Sequence, residues 1–225
     1  MSGRGRAVLA ACAAVFGVAC CVQASWIHVK AFAAQALIHA AWERNRSGAT
    51  AARPWPWADT TPVAKLSILR DGAVASSLVV LEGANGRNLA FGPVHDGASA
   101  LPGETGNTVI AAHRDTHFRL LRTLRLGEEL RIERTDGRVV NYRVTDTRVV
   151  DSRKVRIALG GDHPRLTLVT CYPFDSIQPG GPLRFVVTAD SSAAAGNPPP
   201  HRVAHAAAPL PVVTSDGMAR EPRRR

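Results

Sequence analysis

Cysteine is scarce in this chain, with four among 225 residues, and three of them (Cys12, Cys20 and Cys21) sit in one N-terminal apolar run. The remainder holds Cys171 alone, so no internal disulfide can staple it. Basic residues are in excess overall (net charge +10), yet the middle of the chain contributes little of that excess. Residues 1–50 carry five basic side chains against one acidic, residues 51–190 carry 18 against 15, and residues 191–225 carry five against two. A nucleic-acid binder concentrates positive charge on its folded face, so this distribution argues against that class. No internal repeat is present, and no second His/Cys cluster accompanies His113, Asp115 and His117. One His-x-Asp-x-His run is weak evidence for a metal site, and none is expected here, nor any cofactor.

What the chain does contain begins with that apolar run. Ala7 to Val29 is interrupted only by Gln23, Ser25 and His28. As a helix it would be roughly 34 Å long, enough to cross a bilayer. Arg4 and Arg6 precede it with no acidic residue, which puts residues 1–6 in the cytoplasm and everything after Lys30 outside. A cleaved signal peptide is the rival, but the run exceeds the usual apolar core and lacks a clean Ala-x-Ala exit. Leu9-Ala10-Ala11-Cys12 resembles a lipobox, but only two apolar residues separate it from Arg6. The expectation is an uncleaved anchor over residues 7–29. The three cysteines inside it read as small packing or lipid-facing residues.

Residues 30–59 read as an alanine-rich helical extension or stalk, closed by Arg53-Pro54-Trp55-Pro56-Trp57, where alternating prolines forbid helix. From residue 60 to 190, short β-type runs alternate with turn signals such as Asp96-Gly97 and Asp136-Gly137. Strands are predicted at 66–69, 77–81, 108–112, 130–134, 139–144, 166–171 and 183–188, with one helical turn over 118–124. Many closely spaced strands with so little helix point to a mostly-β, closed or nearly closed barrel. Residues 191–225, rich in Ala, Pro and Arg without hydrophobic periodicity, read as a disordered tail.

Three polar residues stand at the ends of these strands. Leu166 to Cys171 has strong β propensity and stops at Tyr172-Pro173, because proline cannot continue a central ladder. A hairpin-like return would bring Arg184, near the start of the next strand, beside Cys171. Asn107 to Ala112 is another apolar strand, and it delivers His113 at its C-terminal end. A thiol is only partly ionised at neutral pH and gains from an adjacent imidazole or cation. His113 can pass a proton to a leaving amine and take one from an incoming nucleophile. Arg184 keeps its charge and can hold a carbonyl or oxyanion. Taken singly, each residue has a plainer reading: a buried packing cysteine, a metal-ligand histidine, a solvated edge arginine.

Taken together the pattern is more specific. Thr167-Leu168-Val169-Thr170-Cys171 resembles the Thr-Leu-x-Thr-Cys motif of the sortases, membrane-anchored cysteine transpeptidases. Asn107 through His113 resembles their histidine strand and Leu183-Arg184-Phe185 their arginine strand. Pro102-Gly103-Glu104-x-Gly106-Asn107, His113-Arg114-Asp115-x-x-Phe118 and Cys171-Tyr172-Pro173-Phe174 are similar to the class D branch and its Gram-negative relatives.

The resemblance implies an eight-stranded β-barrel over residues 60–190 with one or two short helices, and Cys171, His113 and Arg184 as its catalytic residues. It also puts Thr170, Tyr172 and Pro173 against substrate. It implies cleavage of a Leu-Pro-x-Thr-Gly-like sorting signal through a thioacyl enzyme, with transfer to an amine acceptor on the cell envelope. Leu101 to Gly106 is one residue too long to be such a signal itself and reads as a turn. Papain-like enzymes place cysteine before histidine, whereas here His113 comes 58 residues before Cys171. The L,D-transpeptidases use a Ser/Thr-His-Gly-Cys motif that is absent. The non-enzyme alternative is an exported barrel used for adhesion or binding, with an inert cysteine.

Overall fold

β-Branched and aliphatic residues at alternate positions, broken by glycine turns, give eight strands with one face dry. They are β1 (Pro62–Arg70), β2 (Ala73–Glu82), β3 (Val94–His95), β4 (Gly106–Ala111), β5 (Glu129–Arg134), β6 (Val139–Asp151), β7 (Pro164–Cys171) and β8 (Leu183–Ser191). The computed structural model describes residues 3–49, 51–178 and 180–192. The tail expected at 191–225 lies, from residue 193 on, outside the described residues.

The strands close in the order β1-β2-β3-β4-β7-β8-β6-β5, and β1 pairs with β5 to complete the barrel. Two neighbours are parallel, β2 with β3 and β4 with β7; all other pairs are antiparallel. The interior is filled by Leu66, Ile68, Ile110, Leu130, Ile132, Tyr142, Leu166, Leu168 and Val187, with Phe118 and Leu121 plugging one end from a 3-10 turn over His117–Thr123.

Two differences from the sequence reading have local causes. The two-residue β3 escapes it, because Val94–His95 is too short to show a period. β6 runs to Asp151, seven residues beyond the predicted end, through a register shift between Val144 and Asp146. The polar stretch Thr145-Asp146-Thr147-Arg148 masks it, because outside the barrel that half of the strand faces solvent rather than core.

Pro102-Gly103 forms a turn, as the sequence suggests. Gly103 has φ +83°, and a Cβ there would come within 2.6 Å of Val140 Cγ2. Its N–H donates to the buried Tyr142 hydroxyl at 2.8 Å, so the turn is sealed to the barrel wall.

The N-terminal helix α1 (Gly3–Arg46) is continuous, and by length and composition it can cross a membrane. At about 1.5 Å per residue it is roughly 66 Å long, twice a hydrocarbon core. Its last turns are not a free stalk. Ile38 and Trp42 are buried against Val79, Leu81 and Val94 on the outside of the barrel. Gln35 Nε2 donates to the Phe91 carbonyl at 2.6 Å, Asn45 Nδ2 to that of Pro62 at 3.2 Å, and Arg46 pairs with Glu133 at 3.0 Å. The helix thus crosses from β3 over β2 and β1 to β5.

Candidate active site

The register puts the sequence-predicted residues on one rim. Cys171 is the direct antiparallel partner of Arg184, so their side chains project to the same face with Cβ atoms about 5 Å apart. On the other side of β7, Ala111 of parallel β4 is level with Val169. Cys171 follows two residues later at the end of β7, and His113 follows two residues past the end of β4, at the start of the adjoining loop.

Leu166, Leu168 and Thr170 point inward and are buried, which sends Thr167, Val169 and Cys171 outward. Cys171 is half-buried and His113 exposed, so the thiol is no interior packing residue. Arg184 Nη1 donates to the carbonyls of Gly181 (2.7 Å) and Leu183 (2.9 Å). Among the described residues, its Nε and Nη2 have no protein acceptor.

The two strands that present Cys171 and His113 are locked together just below the rim. Thr170 is 2% exposed and its hydroxyl donates to the Ala112 carbonyl at 2.7 Å, while Ala112 N–H donates to Val169 O at 3.2 Å. Thr170 therefore lies under the rim rather than on it. Tyr172 is half-buried and Pro173 exposed. Tyr172 stacks on Phe185 at 6.4 Å, and Phe174 meets Phe185 edge-on at 5.2 Å. The His113 carbonyl accepts from Phe118 N–H at 3.0 Å, which fixes the turn after the histidine. His117 is half-buried beside it; burial first, and the neighbouring His113 second, hold its imidazole below the usual pKa. Among the described residues no group of three or more His, Cys, Asp and Glu could hold a metal ion.

Away from the rim, the outer face of β4, β7, β8 and β6 forms the floor of a cleft of about 290 Å³. The connection between β6 and β7 closes over it. Asn107 holds that cover: its Nδ2 donates to Ala158 O (2.7 Å), its backbone N–H to Leu159 O (2.8 Å), and its Oδ1 accepts from Thr167 (2.9 Å). Arg148, Arg156 and Arg165 line the cleft with Asp146 and Asp190. Burial alone would raise the Asp190 carboxyl, but the hydrogen bond and charge of Arg165, with His163 and Thr145, bring it below its usual value. In the sequence Asn107 and Thr167 show only the strand propensity of their segments. Their contact to each other needs the parallel β4–β7 pairing, which no local pattern reveals.

A second constellation mimics a catalytic triad. Ser99 Oγ lies 3.2 Å from His95 Nε2, and His95 Nδ1 lies 3.0 Å from Glu82 Oε2. Ser99 Oγ, however, also donates to Asp96 O at 2.7 Å and accepts from Val109 N–H at 3.0 Å, and both Ser99 and His95 are buried. The hydroxyl is fully committed, so this is a brace beneath β3 and β4.

Both His95 nitrogens face acceptors, with Ala100 O 3.1 Å from Nε2. Burial pulls the imidazole pKa down, but the hydrogen bonds to Glu82 and Ala100 and the charges of Glu82 and Asp96 outweigh it, and the net shift is upward from 6.5. A raised folded-state value stabilises fully below the unfolded pKa and is lost as pH rises through the folded one. The melting temperature is therefore expected to fall between about pH 6 and pH 8. Glu82→Gln should flatten or reverse that slope in thermal melts; an unchanged slope would remove His95 as its source.

The comparisons with known proteins agree with the barrel fold. A family model described as Sortase domain matches residues 72–192. Sortase D of Bacillus subtilis (strain 168) is 32% identical over 121 residues, which covers 53% of this chain and 60% of that protein. The chain thus spans less than two thirds of that relative's length. Among solved structures, sortase A from Corynebacterium diphtheriae aligns with a TM-score of 0.51 at 24% identity, covering 70% of this chain and 83% of that one. A lid mutant of the same protein gives 0.51 and 24%, covering 70% and 92%. These structural likenesses speak for the barrel fold, and the B. subtilis relative accords with the class D features of the sequence.

Proposed function

The chain belongs to the sortase family, and from that premise we propose that it is a cysteine transpeptidase with Cys171 as nucleophile. The carrying observation is the direct pairing of Cys171 with Arg184, with the His113-bearing strand alongside in parallel register. In this reading the Cys171 thiolate attacks the carbonyl carbon of threonine in a Leu-Pro-x-Thr-Gly-like signal. The oxyanion that forms is held by Arg184 through Nε and Nη2, since Nη1 is occupied by the loop. His113 gives its proton to the departing amine as the C–N bond breaks, leaving a thioester. An incoming amine then loses a proton to the imidazole as it attacks, and the thiolate departs. No cofactor is required at any step.

The cleft beside Thr167 and Val186 lies further along β7 and β8, on the same outward face as Cys171 and Arg184. It is the surface on which the extended signal would lie, with Tyr172 and Pro173 at its catalytic end. The anchor reading puts residues 7–29 across the cytoplasmic membrane and the barrel outside, which is the periplasm in a Gram-negative cell. Partners are then a secreted protein bearing the signal and an amine on the cell envelope.

The test is intact-mass analysis of the full chain in detergent micelles, incubated with signal peptides. An acyl adduct on Cys171, released by hydroxylamine as the peptide hydroxamate, is the expected result. A chain that stays unmodified with every signal variant, while its thiol remains reduced, would overturn the reading.

A further inference from the structure

The segment joining Cys171 to Arg184 is tied at its far end by Ser152 N–H, which donates to Pro182 O at 2.8 Å, and within its first half by Ser176, whose N–H and hydroxyl donate to Pro173 O (3.4 Å) and Gln178 O (3.1 Å). It carries Gly180 and Gly181 at left-handed φ of +86° and +85°, and its Ile177 is 99% exposed. Phe174 packs against the main apolar cluster near the start. Beyond it, the segment's backbone is gripped by a side chain from another element.

That side chain is Arg114, the residue after His113, and it is only 5% exposed. Its Nη1 donates to Pro173 O at 2.8 Å, and its Nη2 to Ser176 O at 2.9 Å and Gln178 O at 3.0 Å. Its Nε donates to Asp115 Oδ1 at 3.2 Å. A guanidinium has five N–H donors in a rigid planar fork, and a buried one is tolerated only where those donors are met. Three of the bonds end on main-chain carbonyls of one loop, so they fix the path of its backbone whatever its side chains are. At the far end of the same loop Gly181 O, with Leu183 O at the first residue of β8, receives Arg184 Nη1.

We propose that Arg114 is a positioning residue that aims the Arg184 guanidinium at the thiol face, acting through the backbone of the loop between Cys171 and Arg184. This rests on the transpeptidase reading above. One buried fork beside the histidine thereby sets the loop that follows the cysteine and, through it, the arginine. A shift of the loop by an ångström turns the Arg184 fork away from the developing oxyanion, and misplacement of that size costs roughly a hundredfold in rate. The oxyanion exists only in the transition state, so the loss falls on kcat rather than KM. Alkylation of the thiol forms no oxyanion and is spared.

The experiment uses the full chain in detergent micelles, a signal peptide and hydroxylamine as acceptor. Arg114→Lys keeps the charge but cannot span three carbonyls with one ammonium. It is expected to lower kcat roughly ten- to a hundredfold, with KM and the iodoacetamide alkylation rate of Cys171 each within about twofold of wild type. In an Arg184→Ala background the same change should cost less than about twofold more, because the two act on one interaction. Arg114→Gln should follow the same pattern with a larger loss; if it fails to fold, the lysine variant decides the cycle.

Wild-type kcat in Arg114→Lys, or losses that multiply with those of Arg184→Ala, would overturn the proposal. So would a fall in alkylation parallel to the fall in kcat, which marks general disruption of the rim. A wild-type chain that forms no acyl adduct removes the underlying reading and this inference with it, whereas an active wild type with unaffected variants removes this inference alone.

Discussion

Cys171→Ala is expected to lower transpeptidation by at least about ten-thousandfold, because in the proposed mechanism the acyl bond forms on its sulfur. The fold should survive. Cys171 is half-buried at the last position of β7, and the bonds that hold this corner come from other groups. Thr170 to Ala112 O, Tyr172 N–H to Leu183 O and the aromatic contacts of Tyr172, Phe174 and Phe185 all remain. Loss of one sulfur there costs on the order of 1 kcal/mol or less. The measurement pairs hydroxamate release with a thermal melt. Residual turnover within a hundredfold of wild type would mean that sulfur is not the nucleophile. A collapsed melt would mean that the cysteine is structural, as the adhesion-module reading has it.

His113→Ala should cost about a hundred- to ten-thousandfold in kcat and remove one limb of the pH–rate profile, since a positioned acid–base group contributes in that range. Cys171 alkylation should slow as well, because in the proposed mechanism the imidazole is the base that takes up the thiol's proton. The control is His117→Ala. His117 sits close to His113 but is half-buried and held on the neutral side chiefly by burial, so it is a poor substitute. Its removal should leave most of the activity. Equal losses from His113→Ala and His117→Ala would instead favour joint ligation by the His-x-Asp-x-His run, and restoration of activity by an added divalent cation would establish it.

Much of this was legible along the chain because the signals are local. A strand that stops at Tyr172-Pro173 brings Cys171 to its end, and an apolar strand followed by His113 brings that histidine to the same level. Which of Leu168, Val169, Thr170 and Cys171 turn inward was open along the chain, and the burial of Leu166, Leu168 and Thr170 settles it. The 3-10 turn near Phe118 and the turn at Pro102-Gly103 carry their own residues' signatures.

The missing pieces are those whose partners lie far away in sequence. Val94–His95 is a strand only because Leu81 and Ala111 flank it. The second half of β6 looks polar until β8 pairs with it. Trp42 reads as part of a stalk until Val79, Leu81 and Val94 cover it. Arg114 is one more basic residue until three carbonyls some sixty positions later converge on it.

The amino-acid sequence by itself determined the candidate chemistry of this protein. One thiol outside the apolar segment, one histidine and one arginine, each at a strand end, already limit what the rim can do. Tertiary structure alone decided which backbone groups hold those three in place, namely the parallel β4–β7 pairing, the Thr170 hydroxyl under the rim and the Arg114 grip on the loop. The division has a physical cause. Reactivity resides in single side chains and can be read one residue at a time, whereas aim depends on distances between segments that become neighbours only when the barrel closes.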